Sequence, residues 1–167
     1  EQTGAVFVPP YDHPDIIAGQ GTVAIEMLRQ NPELDTLVVP VGGGGLLGGI
    51  SVAAKALKPS IRVIVAEPEG ANDAQRSFES GVRVTQHHPD TIADGLRTTL
   101  GKLNFALVQR YVDDIITVSD PQIIDAMKLY MSRAKELVEP SGIVGLAAIL
   151  RKPDLFVNSR VGIVISG

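Results

Sequence analysis

Six of the eight residues from Gly42 to Gly49 are glycine, in the run Gly42-Gly43-Gly44-Gly45-Leu46-Leu47-Gly48-Gly49. A loop without side chains leaves its main-chain N–H groups uncovered and free to converge. The apolar run Val38-Val39-Pro40-Val41 precedes it, and an amphipathic segment over 50–57 follows. That order is a buried strand, a bare loop and a helix. Partial positive charge at the start of the helix adds to the amides, so the loop suits an anion, most simply a phosphate. A second constellation is Glu67 and Asp73, six residues apart across a Pro/Gly turn. Two carboxylates so spaced could share a hard cation with carbonyl and water oxygens. Alternatively Asn72 or Asp73 caps a short helix while Glu67 stays solvated.

The glycines satisfy more than one anion-binding pattern. Gly43-x-Gly45-x-x-Gly48 has the spacing of a dinucleotide turn, and Glu67 stands near the place where an acid would take a ribose hydroxyl. That reading is an NAD-dependent oxidoreductase. Four consecutive glycines exceed what such a turn needs and suit a cup around one phosphate, of a mononucleotide or of pyridoxal phosphate. A non-catalytic phospholigand-binding domain would use the same cup. A tight turn chosen only for packing is the plainest reading, and the conformational entropy of so many glycines weighs against it. His87-His88 looks like a metal pair only on paper. Neighbours in extended chain point apart and no third ligand is evident, so both read as loop residues.

The elements that must position these groups alternate. Strands are expected over 36–41, 62–66, 115–118 and 161–165. Helices are expected over 16–31, 46–57, 73–79 and 104–111, with Gly19-Gln20-Gly21 as a tight entry to the first. Ser119-Asp120-Pro121-Gln122 opens a longer helix, by an Asp120 cap or a Ser119/Gln122 capping box, with Ile123, Met127, Met131 and Ala134 on one face. Glu139-Pro140-Ser141-Gly142 breaks it, and an apolar helix runs over 143–150. The stretch 1–11 is short and extended, and 82–99 is irregular. Strands apolar on both faces and separated by helices define an α/β fold, an open, mostly parallel sheet with helices on both faces. Ligands of such sheets sit at the carboxyl ends of the strands, where the glycine loop, Glu67 and Ser166 fall.

The hydrophobic fraction of 44% is ample for a core. A net charge of −4 argues against nucleic acid or an anionic membrane as partner. With no cysteine, disulfides and thiolate metal sites are excluded, which fits a cytoplasmic protein. No apolar run is long enough to span a bilayer. The 167 residues make one domain or one lobe, and the opening at Glu1 and the end at Gly167 read as a piece of a longer protein.

Val39-Pro40-Val41-Gly42-Gly43-Gly44-Gly45-Leu46-Leu47-Gly48-Gly49 resembles the phosphate loop of fold-type II pyridoxal-phosphate enzymes, in particular the serine racemase and serine/threonine dehydratase group. Phe7-Val8-Pro9-Pro10-Tyr11-Asp12, Ile17-Ala18-Gly19-Gln20-Gly21-Thr22, Ala66-Glu67-Pro68, Thr91-Ile92-Ala93-Asp94-Gly95, Val138-Glu139-Pro140-Ser141-Gly142 and Ile165-Ser166-Gly167 agree in the right order. The resemblance implies most of the large domain of a tryptophan-synthase-β-like fold. It implies a cofactor phosphate held by Gly42, Gly43, Gly44, Gly45 and the amide of Leu46, with the Ser166 hydroxyl on the pyridine nitrogen. Gly95 and Thr98 would adjoin the substrate, Thr98 standing where serine racemase has a serine. Glu139 would lie near the ring or be a solvated helix-end acid. Glu67, the Ala71 carbonyl and Asp73 would hold Mg²⁺, or Ca²⁺ or Mn²⁺.

The same resemblance implies a lyase or isomerase of amino-acid metabolism, a threonine dehydratase or a serine racemase, working as a homodimer on a small hydroxy amino acid. Its chemistry needs a Schiff-base lysine in an N-terminal Ser-x-Lys-x-Arg-like motif. Lys55, Lys58, Lys102, Lys128, Lys135 and Lys152 lie in no such context. The expectation is therefore that the N-terminal small domain and the lysine region lie outside this chain, and that the chain by itself is inactive.

Overall fold

The computed structural model describes residues 3–167, so Glu1 and Gln2 of the expected extended stretch lie outside the described residues. The rest of that stretch joins no strand, and Val6, Phe7 and Val8 are exposed. Helix α1 (Pro14–Gln30) leads to β1 (Thr36–Pro40), the glycine loop, α2 (Gly45–Leu57) and β2 (Arg62–Pro68). After a 3-10 turn come α3 (Asp73–Ser80), α4 (Lys102–Tyr111), β3 (Asp114–Val118), α5 (Asp120–Ala134), α6 (Pro140–Arg151) and β4 (Val161–Ile163). The four strands form one parallel sheet in the order β3-β2-β1-β4. Val38 is in register with Ile64 on one side and Ile163 on the other.

Alternation along the strands divides the core. Leu37, Val39, Val63 and Val65 pack with Leu47, Ile50 and Val108 on one face. Val38, Ile64 and Ile116 pack with Ile123, Ile143 and Val144 on the other. The sheet is thus covered on both sides, as the two-faced apolar strands require.

Four local expectations need correction. Gly19-Gln20-Gly21 is not a helix entry but lies inside α1. A methyl group on Gly21 would lie 3.1 Å from the Gly49 carbonyl oxygen, and one on Gly49 would collide with the Ile17 carbonyl. These glycines let α1 and α2 cross main chain to main chain. The buried face of α5 is Ile123 and Ala126, with Met127 and Tyr130 beside them, whereas Met131 and Ala134 are exposed with the rest of 131–137. The break between α5 and α6 falls at 135–139, with Lys135 in the left-handed region (φ 63), so Ser141 and Gly142 belong to the first turn of α6. The last strand ends at Ile163 rather than 165. At the start of α5 the capping-box alternative holds: Ser119 N–H donates to Gln122 Oε1 at 2.9 Å. The Asp120 carboxylate instead accepts the Thr91 hydroxyl at 2.6 Å and the Ile92 N–H at 3.0 Å.

Candidate functional site

At the carboxyl end of the sheet, Gly42, Gly43, Gly44, Gly45, Leu46, Gly95, Thr98 and Ser166 line one cavity of about 500 Å³. Loop and strand end, 120 residues apart, therefore meet at a single space. Among the described residues no protein acceptor takes the N–H of Gly42, Gly43, Gly44, Gly45 or Leu46. Gly44 has φ 90, a left-handed conformation that favours glycine. The other loop glycines are required by close approach. A methyl on Gly42 would lie 2.8 Å from Thr98 Oγ1, one on Gly45 would lie 2.8 Å from the Tyr11 carbonyl oxygen, and one on Gly43 would collide with the Tyr11 ring.

Ser166 is exposed and follows β4, whose extension is held by Val164 N–H on the Val38 carbonyl at 3.0 Å. Glu139 N–H donates to the Gly167 carbonyl at 3.2 Å, while the Glu139 side chain is exposed and lines no part of this cavity. Gly95 and Thr98 lie in the 91–101 loop. The Gly95 N–H donates to Ser141 Oγ at 3.0 Å. No lysine lines the cavity among the described residues.

The glycine loop is fastened from behind. The Gly43 carbonyl accepts the Gly101 N–H at 3.0 Å and the Asn104 side-chain amide at 2.8 Å. Asp12 takes the N–H groups of Lys102 and Leu103, each at 2.9 Å, and so caps α4 from 90 residues away. Tyr11, Asp12, Asn104 and Ser141 were not singled out from sequence. One signal was available for Asp12: Gly101 supplies no side chain to cap a helix starting at Lys102.

Glu67 is fully buried and not solvated. Its two carboxylate oxygens accept the N–H groups of Ala74 at 2.9 Å and Gln75 at 2.8 Å, so Glu67, rather than Asn72 or Asp73, caps α3. Burial pushes its carboxyl up to about 8, against those two N–H donors and with the help of the nearby Asp73. Burial also raises Asp73, opposed by the Leu100 N–H and by His87. Asp73 Oδ2 accepts Leu100 N–H at 2.8 Å, whereas Oδ1 has no hydrogen-bond partner. Among the described residues no donor takes the Ala71 carbonyl. Two buried carboxyls, one with an oxygen lacking a hydrogen-bond partner, and a free carbonyl are hard oxygen donors of the kind a divalent cation takes. No group of three His, Cys, Asp or Glu side chains suited to a metal occurs among the described residues. His87 is a loop residue as expected, half-buried but with its ring covered, Nε2 lying 3.5 Å from Asp73 Oδ1; His88 is exposed.

The dinucleotide reading fails on this geometry. The Glu67 carboxylate is fully buried under α3 and lines no part of the cavity where a ribose would lie, and Asn104 Oδ1 occupies the space beside Gly48.

A bare amide loop between strand and helix shares its cavity with a serine just beyond the last strand of a parallel sheet, an arrangement suited to a small anionic ligand. The chain belongs to the pyridoxal-phosphate dependent enzyme family, whose model matches residues 1–167. It is similar to serine racemase of Oryza sativa subsp. indica, 47% identical over 172 residues, covering 100% of this chain and 51% of that protein. It is similar also to L-threo-3-hydroxyaspartate ammonia-lyase of Saccharomyces cerevisiae, 48% identical over 165 residues, covering 98% of this chain and 51% of that protein. The structure of maize serine racemase matches with a TM-score of 0.95 and 47% identity, over 99% of this chain and 52% of that one. The chain thus spans about half the length of the curated relatives it matches. The expected fold class holds.

Proposed function

We propose that the parent protein is a pyridoxal-phosphate-dependent enzyme that acts on a hydroxy amino acid. It removes the α-proton and then either eliminates the β-hydroxyl as water, leading to a 2-oxo acid and ammonia, or returns the proton to the opposite face. One observation carries this reading: the unpaired amides of 42–46 and Ser166 line the same cavity. Bound there, the cofactor supplies the electron-withdrawing ring that stabilises negative charge at the substrate α-carbon. The amides of Gly42 through Leu46 bind its phosphate. Ser166 donates to the ring nitrogen, a neutral partner that leaves the nitrogen unprotonated. Gly95 and Thr98 border the substrate, with the Thr98 hydroxyl oxygen standing beside Gly42. Since no lysine lines the cavity among the described residues, we assign the lysine that holds the cofactor and moves the proton to an N-terminal small domain outside this chain.

Glu67, the Ala71 carbonyl and Asp73 would hold Mg²⁺, or Ca²⁺ or Mn²⁺; none of the three lines the cavity, so the ion would order α3 and the 99–101 segment rather than take part in chemistry. The homodimer and the cytoplasmic location rest on the family resemblance and on the absence of cysteine. No helix among the described residues is long and apolar enough to cross a membrane.

The test is to load the full-length parent with pyridoxal phosphate and supply L-serine, L-threonine and L-threo-3-hydroxyaspartate. Release of 2-oxo acid and ammonia, or appearance of the D-enantiomer, is expected. A loaded parent that does neither with any of the three would refute the reading. Size-exclusion chromatography with light scattering checks the dimer.

A further inference from the structure

The geometry points to Asn104 as a positioning residue for the phosphate loop: from α4 it fixes the Gly43–Gly44 peptide so that the Gly44 N–H faces the cavity. This role rests on the phosphate-binding reading above. Asn104 is fully buried. Its side-chain nitrogen donates to the Gly43 carbonyl at 2.8 Å and to the Tyr11 carbonyl at 3.3 Å. The Gly101 N–H reaches the same Gly43 oxygen at 3.0 Å. In a planar trans peptide the C=O of one residue and the N–H of the next point in opposite directions. Two donors behind the Gly43 carbonyl therefore turn the Gly44 N–H toward the cavity that Gly44 lines. A peptide between two glycines meets little steric resistance to flipping. Flipped, it would present a carbonyl oxygen to the phosphate, so the loop needs an external clamp.

The orientation of the Asn104 amide follows from its neighbours. Reversed, it would set Oδ1 against two carbonyl oxygens. In the observed sense Oδ1 has no hydrogen-bond partner and rests beside Gly48, where a methyl group would lie 2.9 Å away. Gly48 is in the first turn of α2, whose partial positive charge suits an oxygen there. Asp12 holds the end of α4 from which Asn104 projects. A threonine or leucine in place of Asn104 could not span both carbonyls with one nitrogen. The clamp is thus a property of this side chain and not of the helix alone.

The experiment uses the full-length parent without cofactor, titrated with pyridoxal phosphate and with pyridoxal, which lacks the phosphate. In N104L, of similar size, the affinity for pyridoxal phosphate should fall about tenfold or more, while that for pyridoxal stays as in wild type. N104D keeps the shape, removes the donor and sets a negative charge against the Gly43 carbonyl behind the loop, so its loss should be larger; it serves also if N104L does not fold. The decisive quantity is the ratio of the two affinities. A wild-type ratio in both folded variants, or an equal loss for both ligands, would overturn the role. A wild-type protein that holds pyridoxal phosphate no better than pyridoxal would overturn the phosphate reading itself, and the clamp with it.

Discussion

Ser141 Oγ accepts the Gly95 N–H at 3.0 Å, fastening the first turn of α6 to the loop that abuts Gly42. Ser141 is buried, whereas Gly95 is exposed in the cavity wall. The bond sets where that wall stands. Replacing Ser141 with alanine should cost about 1 kcal/mol of stability, the net worth of one hydrogen bond. It should raise KM for the amino acid in the parent more than it lowers kcat. Hydrogen exchange at the Gly95 amide is the direct check, and unchanged protection in S141A would count against it.

Gly44 combines φ 90 with crowding, since a methyl there would lie 2.7 Å from Leu100 Cδ1 and 2.8 Å from Asn104 Cβ. Gly44→Ala should destabilise by about 1–3 kcal/mol from backbone strain alone. Thermal unfolding measures this, and pyridoxal phosphate affinity should drop with it. Gly19→Ala, where a methyl meets nothing within 4 Å, is the matched control and should hold or gain stability.

Glu67 gives stability a pH dependence of definite sign. Its folded value, about 8, lies above the ordinary 4.5, so the folded state binds the extra proton. That contribution is fully present below about 4.5 and is lost as pH rises to about 8. In EDTA, wild-type Tm should therefore fall across this window. E67Q should fall less steeply, from a lower start, because its amide NH₂ cannot accept both α3 N–H groups. Mg²⁺ should restore wild-type Tm at the alkaline end and leave E67Q unmoved. Parallel wild-type and E67Q slopes in EDTA would contradict the burial argument.

Ser166 tests the far end of the cavity. S166A in the parent should reduce kcat by about tenfold, roughly 1.4 kcal/mol of barrier, with little change in phosphate-dependent cofactor affinity. Its hydroxyl is exposed, so Tm should stay within about 1 kcal/mol of wild type in stability terms. A kcat equal to wild type would remove Ser166 from the cofactor site.

The architecture was legible because the apolar runs within 36–41 and 62–66 alternate with segments of helical periodicity, the pattern of a covered parallel sheet, and Gly42–Gly45 suits a bare loop. The convergence of Gly42–Leu46, Gly95, Thr98 and Ser166 was legible through the order of their motifs. What stayed hidden was long-range. Asp12 capping α4, Asn104 clamping Gly43 and Glu67 capping α3 each depend on which segments the topology brings together, and no local periodicity encodes that. Gly21 misled for the same reason: read locally it opens a helix, but its partner is Gly49, on another helix.

The glycine-on-glycine crossing of α1 and α2 has a mechanical consequence. With main chains in contact at Gly21 and Gly49 there is no side chain between them to compress or swing. The first helix and the helix behind the glycine loop must travel as one rigid block. Any adjustment on ligand entry therefore falls to the 91–101 loop, whose moorings to Asp120, Ser141 and Asp73 are hydrogen bonds that can be exchanged one at a time.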